Sequence, residues 1–313
     1  MLTITHSHEA GTLIEGTAKG DGTAEILKRT GWRWGRSIAT WFVPMSRDRM
    51  AKLHVIRRTV EALRTAGFEV AEPEIDDTPR AAAVVEEDRI VRQAERVEAL
   101  EAKVDRKTAD ATAAWDRHMA DVGRLPEGGE PIKVGHHSEG RHRAALTRAD
   151  RSGRRGIEAH NEAERAADRA TAAASTTASR YNPITVANRI EKFRTELRGY
   201  ERRIVADVYD SERGYIPATD EQKQRRAEHY APFIEQTRDQ LTYWEKVRAD
   251  QVTAGEATNY SRETINAGDA VKIRGQWRRV ARANAKTVSV ETGHSWTDRA
   301  PYAEIQDHKA ATA

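Results

Sequence analysis

Cysteine is absent from all 313 residues, which excludes disulfide bridges and thiolate metal sites. Apolar residues are scarce as well, at 38% with a mean hydropathy of −0.78. That is too polar for one large core and fits small domains joined by solvent-exposed helices. No apolar run approaches the roughly 20 residues of a membrane-spanning helix. The opening Met1-Leu2-Thr3-Ile4-Thr5-His6 lacks the basic-then-apolar order of an export signal, so the expectation is a soluble, cytoplasmic protein with no membrane partner. An excess of one charge is also missing, because 52 basic residues against 49 acidic ones leave a net charge of +3. Bulk charge therefore does not mark a nucleic-acid binder, and any basic surface must come from local clustering. No Gly-x-x-x-x-Gly-Lys-Ser/Thr phosphate loop occurs, and no glycine-flanked serine elbow marks a serine hydrolase.

What is present predicts a mainly α fold: long helices and antiparallel coiled-coil hairpins set between a small N-terminal α+β domain and a small C-terminal SH3-like β-barrel. The expected domains are a Trp/Arg-rich module over 1–76, a helical domain over 80–180, an antiparallel helical hairpin over 183–256 and the barrel over 264–307. In the first, Leu2, Ile4 and Thr12-Leu13-Ile14 alternate as strands do. A helix over 23–30 is stopped by Gly31, Trp32 to Pro44 forms a hairpin, and Leu53, Ile56, Val60 and Leu63 mark a second helix that ends at Gly67, with a strand at Phe68-Glu69-Val70 to follow. From about 81 to 122, Ile90, Val97, Val104 and Ala111 recur every seven residues, with Leu100, Trp115, Met119 and Val122 widening the stripe. The next long helix carries Leu146 and Ile157. Val186, Ile190, Phe193, Leu197, Tyr200 and Ile204 make the clearest coiled-coil seam, matched after a loop over 210–220 by Tyr230, Ile234, Thr237, Leu241, Trp244 and Val247. Such seams also serve pairing between copies, which leaves a homo-oligomer open.

Two regions suit nucleic acid. In the first domain Trp32, Arg33, Trp34 and Arg36 offer stacking rings and phosphate-binding cations, although tryptophans in so small a domain are also its natural core. The expectation is Trp41 and one of the first pair inside. The run Leu27, Trp32 or Trp34, Trp41 and Pro44 is similar to small modules flanking annealing helicases of the HepA-related type, which implies DNA contact. In the last domain Arg274, Arg278, Arg279, Arg282 and Lys286 cluster without compensating acids, and Gly275-Gln276 reads as a turn. Gly268, Asp269, Val271, Gly275, Trp277 and Val280 resemble small SH3-like barrels.

Chemistry is densest in Pro131-Ile132-Lys133-Val134-Gly135-His136-His137-Ser138-Glu139-Gly140-Arg141-His142-Arg143. His136, His137, Glu139 and His142 are the candidate ligands of a divalent metal, with His118 or His160 available to complete the set. Imidazole and carboxylate suit zinc, manganese or iron. Alternatively the free amides of Gly135 to Ser138 with Arg141 and Arg143 bind a phosphate at a helix start. In a third reading the segment is structural, with Ser138 as the N-cap. The pattern Pro-Ile-x-Val-Gly-His-His-Ser-Glu-x-x-His-Arg resembles the core of an uncharacterised bacterial and phage family, domain of unknown function 3560. The resemblance implies a helical architecture over roughly 80–200 and brings no activity with it.

Three functions follow as expectations: a non-catalytic nucleic-acid-associated accessory protein without a cofactor, a metal-dependent hydrolase or nuclease working through the His/Glu motif, or a coiled-coil interaction protein.

Overall fold

The computed structural model describes residues 1–126 and 129–311. They divide into one compact unit made of 1–86 and 186–313 and a second made of 87–185.

The first unit opens with a sheet of β1 (Thr3–Ser7), β2 (Gly11–Glu15), β3 (Arg33–Gly35), β4 (Thr40–Phe42) and β5 (Glu74–Ile75), ordered β3-β4-β2-β1-β5. Only the β1–β5 pair is parallel. Helices α1 (Thr23–Thr30) and α2 (Leu53–Thr65) contribute Leu27, Val55, Ile56, Val60 and Leu63 to a core shared with Leu2, Ile4, Ile14, Trp32 and Trp41. Gly31 ends α1 in the left-handed region at φ 100°, where a side chain would be strained. Trp41 and one of the first tryptophan pair are inside, as expected: Trp32 is 2% exposed and donates its indole N–H to Thr59 Oγ1 at 2.9 Å. The expected strand at 68–70, by contrast, is reduced to one bridge between Leu2 and Val70.

The same unit contains α5 (Pro183–Val205), a two-stranded hairpin of β6 (Val208–Asp210) and β7 (Gly214–Ile216), and α6 (Asp220–Thr253). The expected loop over 210–220 is thus partly a hairpin. Val186, Ile190, Phe193 and Trp244 are buried, so Phe193 and Trp244 are core as expected, whereas Tyr200 and Tyr230 pack on each other at 5.5 Å and stay half-buried. A capping box starts α6, where Thr219 accepts from the Gln222 N–H and the Gln222 side chain accepts from the Thr219 N–H.

At the C-terminal end of that unit, β8 (Ala270–Ile273), β9 (Gln276–Ala283), β10 (Thr287–Glu291), β11 (Thr297–Pro301) and β12 (Ile305–Lys309) form an antiparallel sheet ordered β11-β10-β9-β8-β12. It is open rather than a closed barrel, with β11 and β12 as its edges. One turn of 3-10 helix, Tyr302–Glu304, precedes β12. Ile265, Val271, Ile273, Val280, Val288, Val290 and Ile305 make its core. The β8–β9 turn is Arg274-Gly275 and not Gly275-Gln276: Ile273 pairs with Gln276, and both turn residues have positive φ, 51° and 80°. A two-residue hairpin that follows the strand twist needs that conformation.

In the second unit, α3 (Ala82–Val122, beginning just outside the unit) and α4 (Glu139–Arg180) pack antiparallel. Gln93 donates to the Ala173 carbonyl at 2.7 Å, Lys107 meets Glu162 at 2.6 Å, and His118 Nδ1 lies 3.1 Å from the Ala149 carbonyl. On α3, Ala111 is buried and Val97 and Val104 half-buried, but Ile90, Met119 and Val122 face solvent. Leu146 and Ile157 are also exposed. The face that α4 turns inward consists of Ala145, Ala149, Ser152, Gly156, Ala159, Ala163, Ala166, Ala170 and Ala173, at alternating steps of four and three, all buried except the half-buried Ala159 and Ala163. Small side chains at that spacing let two helices approach closely along a straight seam. Gly156 shows how closely, since a Cβ there would lie 3.2 Å from the Trp115 ring.

Candidate functional site

The segment over 131–143 is the elbow ahead of α4. Its positive-φ residue is Gly135, at 79°, and the turn closes on Glu139. One Glu139 carboxylate oxygen accepts the Gly135 N–H at 2.7 Å, and the other accepts the Arg143 Nε–H at 2.8 Å. Those bonds, the amide first, hold the Glu139 carboxyl below its ordinary value. The His136 and His137 rings lie 4.1 Å apart and both face solvent. His136 Nδ1 is 2.8 Å from Ser138 Oγ, so Ser138 makes no side-chain cap on α4.

Residues 86–208 match the model of the family described as a domain of unknown function (DUF3560). No curated protein and no solved structure matches the chain. The matched residues take in the elbow, nearly all of α3, and the whole of α4 and α5.

Within this segment the expected ligands do not converge. Among the described residues, His136, His137, Glu139 and His142 do not bring three donor atoms to one point. His118 is bound to the α4 backbone, and His160 lies 3.5 Å from Glu164 on the surface. For the phosphate reading, the Gly135 amide and the Arg143 Nε–H are committed to Glu139, while the rest of the Arg143 guanidinium and Arg141 are exposed. The Glu139 bonds tie the elbow to the first turn of α4.

The expected nucleic-acid residues separate in the same way. Trp32 is core and cannot stack on a base, whereas Arg33, Trp34 and Arg36 are exposed. Trp34 is 48% exposed and meets Trp41 edge to face at 5.7 Å. The C-terminal cluster is not free of acids: Arg274 pairs with Glu304 at 3.2 Å, Arg278 with Asp298 at 2.9 Å and Lys286 with Glu191 at 2.5 Å. Arg279 and Arg282 are exposed, and the strand register gives them company. Arg282 opposes Ser289, which opposes Arg299. Lys272 opposes Trp277, and Arg279 and Lys309 both oppose Ala270. Residues directly opposed across strands share a face, and these lie on the side away from Val271, Val280, Val288 and Val290. Trp277 is exposed, with Lys309 Nζ 4.4 Å from its ring centroid. Asp307 and Glu291 are the carboxylates that the same register places there.

A further constellation escaped the sequence patterns. Strand β1 continues Leu2 and Ile4 with His6, and His8 follows on the same face. Both imidazoles are buried, at 3% and 2% exposed. His6 Nδ1 is 2.8 Å from Thr12 Oγ1, and His6 Nε2 lies 3.2 Å from Asp77 Oδ1 without hydrogen-bond geometry. Neither ring nitrogen of His8 has a partner. Burial, then the neighbouring His6, lowers the His8 pKa and keeps the ring neutral, against an opposing pull from Asp77, Asp48 and Asp76. One donor atom from each of His6, His8 and Asp77 falls within 4.8 Å of the others. The signal in the sequence was His-x-His extending a buried period-two stripe, with an Asp76-Asp77 pair downstream.

Proposed function

We propose that the protein is a nucleic-acid-binding accessory protein, with the outer face of the C-terminal sheet as its main contact surface and the exposed Arg33, Trp34 and Arg36 edge as a second. The observation that carries this reading is the cross-strand set of Lys272, Arg279, Arg282, Arg299 and Lys309 around the exposed Trp277, with few carboxylates on that face. Cations spaced over a sheet neutralise phosphates, and an exposed indole among them stacks on a base. The strand order and the 3-10 turn before β12 support reading the sheet as SH3-like. In the same proposal the long helices over 86–208 act as a spacer.

The test is fluorescence anisotropy with labelled duplex and single-stranded DNA and RNA over a salt series. Binding should fall steeply with salt, and Arg279→Ala/Arg282→Ala/Arg299→Ala should weaken it while lowering the log–log slope by about 0.9 for each duplex phosphate that is no longer neutralised. Arg274→Ala, which removes a cation already paired with Glu304, should change the slope less. Absence of binding to every probe, or an affinity indifferent to salt, refutes the proposal.

A further inference from the structure

We propose that His6 Nε2, a ring nitrogen of His8 and a carboxylate oxygen of Asp77 bind one divalent first-row transition metal of the zinc or iron(II) type. The case begins with groups that the fold leaves unsatisfied. His8 is 2% exposed and neither nitrogen has a partner, and His6 Nε2 is buried without one. Burying polar atoms unpaired is costly, and two such imidazoles side by side call for a partner that the surrounding side chains do not supply.

Geometry then selects the ligand. Thr12, itself fully buried, is bonded to Nδ1 of His6. If that nitrogen carries the proton, Nε2 presents a bare lone pair to Asp77 Oδ1 at 3.2 Å, two acceptors facing each other with nothing shared between them. A cation resolves that opposition. Metal–nitrogen and metal–oxygen distances of about 2.0–2.2 Å put neighbouring donors of a tetrahedral site about 3.4 Å apart, close to the separation already present. The Thr12 contact is the outer hydrogen bond that orients a metal-binding imidazole. Two imidazoles and one carboxylate suit zinc or iron(II) and leave coordination positions for water. Asp77, at 38% side-chain exposure, opens the site to solvent.

The experiment uses the full-length, untagged chain, stripped with a chelator and titrated separately with Zn2+, Fe2+, Mn2+ and Co2+. Bound metal is measured by elemental analysis, thermal melting is followed throughout, and Co2+ reports its ligands by visible absorption. One equivalent of Zn2+ or Fe2+ should bind and raise the melting temperature. His8→Ala and Asp77→Asn should each weaken binding at least tenfold, and His142→Ala should leave it unchanged. Asp77→Asn guards against a folding artefact, because its amide oxygen can still accept the Ala51 N–H that Asp77 Oδ1 accepts at 2.6 Å. Failure of all four ions to bind stoichiometrically overturns the proposal. So does wild-type affinity in either His8→Ala or Asp77→Asn, which would place the metal elsewhere.

Discussion

Replacing Gly156 with leucine tests whether close approach, rather than hydrophobic bulk, holds α3 against α4. A Cβ at position 156 would sit 3.2–3.3 Å from three carbons of the Trp115 ring, so even alanine requires the indole to move by a few tenths of an ångström. Leucine adds three further carbons in the same direction. Relative to glycine it gains about 0.8 kcal/mol in helix propensity, but overpacking at a contact of this kind costs about 1–3 kcal/mol. The net expectation is a loss of about 0.2–2 kcal/mol. In a Trp115→Ala background the obstructing ring is gone, the steric cost disappears and the propensity gain remains, so the same substitution becomes neutral or stabilising. The coupling between the two positions should therefore be about 1–3 kcal/mol. Because the chain has two compact units, global unfolding is a poor reporter. Hydrogen exchange of the α4 amides, analysed by peptide mass spectrometry in all four members of the cycle, isolates the local stability. If Gly156→Leu is harmless in the wild-type background, or equally damaging in both, the Trp115–Gly156 approach is not what sets the distance between these helices.

That seam shows where sequence patterns inform and where they mislead. The α5–α6 pairing was legible because Val186, Ile190, Phe193 and Trp244 are large and lie at core spacing. The buried face of α4 has the same spacing, but its Ala, Ser and Gly side chains carry almost no hydrophobic signal. Leu146 and Ile157, which do carry one, point to solvent. Small residues stabilise by what they permit, and the Trp115 ring that exploits Gly156 belongs to another helix.

The two histidine clusters differ for a related reason. Density of histidine over 131–143 suggested a ligand set, but a cation needs donors withdrawn from water and converging. Neither property is local in sequence: the His136 and His137 rings face solvent, while His6 and His8 are buried at the end of β1, where Thr12 of β2 and Asp77 meet them. Their carboxylate comes from a loop beyond β5 that no local pattern ties to β1. The C-terminal cations follow the same rule, since Glu191, Asp298 and Glu304 reach Lys286, Arg278 and Arg274 from other elements. The exposed set with Arg299 emerges only once strand register is known.

Two further outcomes are expected. Trp32→Phe should destabilise the N-terminal module by about 1–2 kcal/mol, because it deletes the indole N–H that Thr59 Oγ1 accepts in the core; hydrogen exchange in α2 measures this, and wild-type protection would contradict the assignment of Trp32 to the core. The C-terminal sheet should lose stability in acid through Asp269. Burial alone would raise the pKa of that carboxyl, but the Asn266 and Ala311 amides and the His308 ring, at 2.8–2.9 Å, hold it below its ordinary value. A depressed folded-state pKa favours the ionised form in the fold. Its stabilisation is therefore complete above the unfolded-state value, near pH 4, and is lost as pH falls through the lower folded-state value. Asp269→Asn keeps an acceptor but cannot titrate, so protection of the β8 amides should be lower than wild type near neutrality and less dependent on pH below about 4, the two curves approaching each other in acid. Parallel curves down to the lowest pH would mean that the Asp269 carboxylate contributes no linkage.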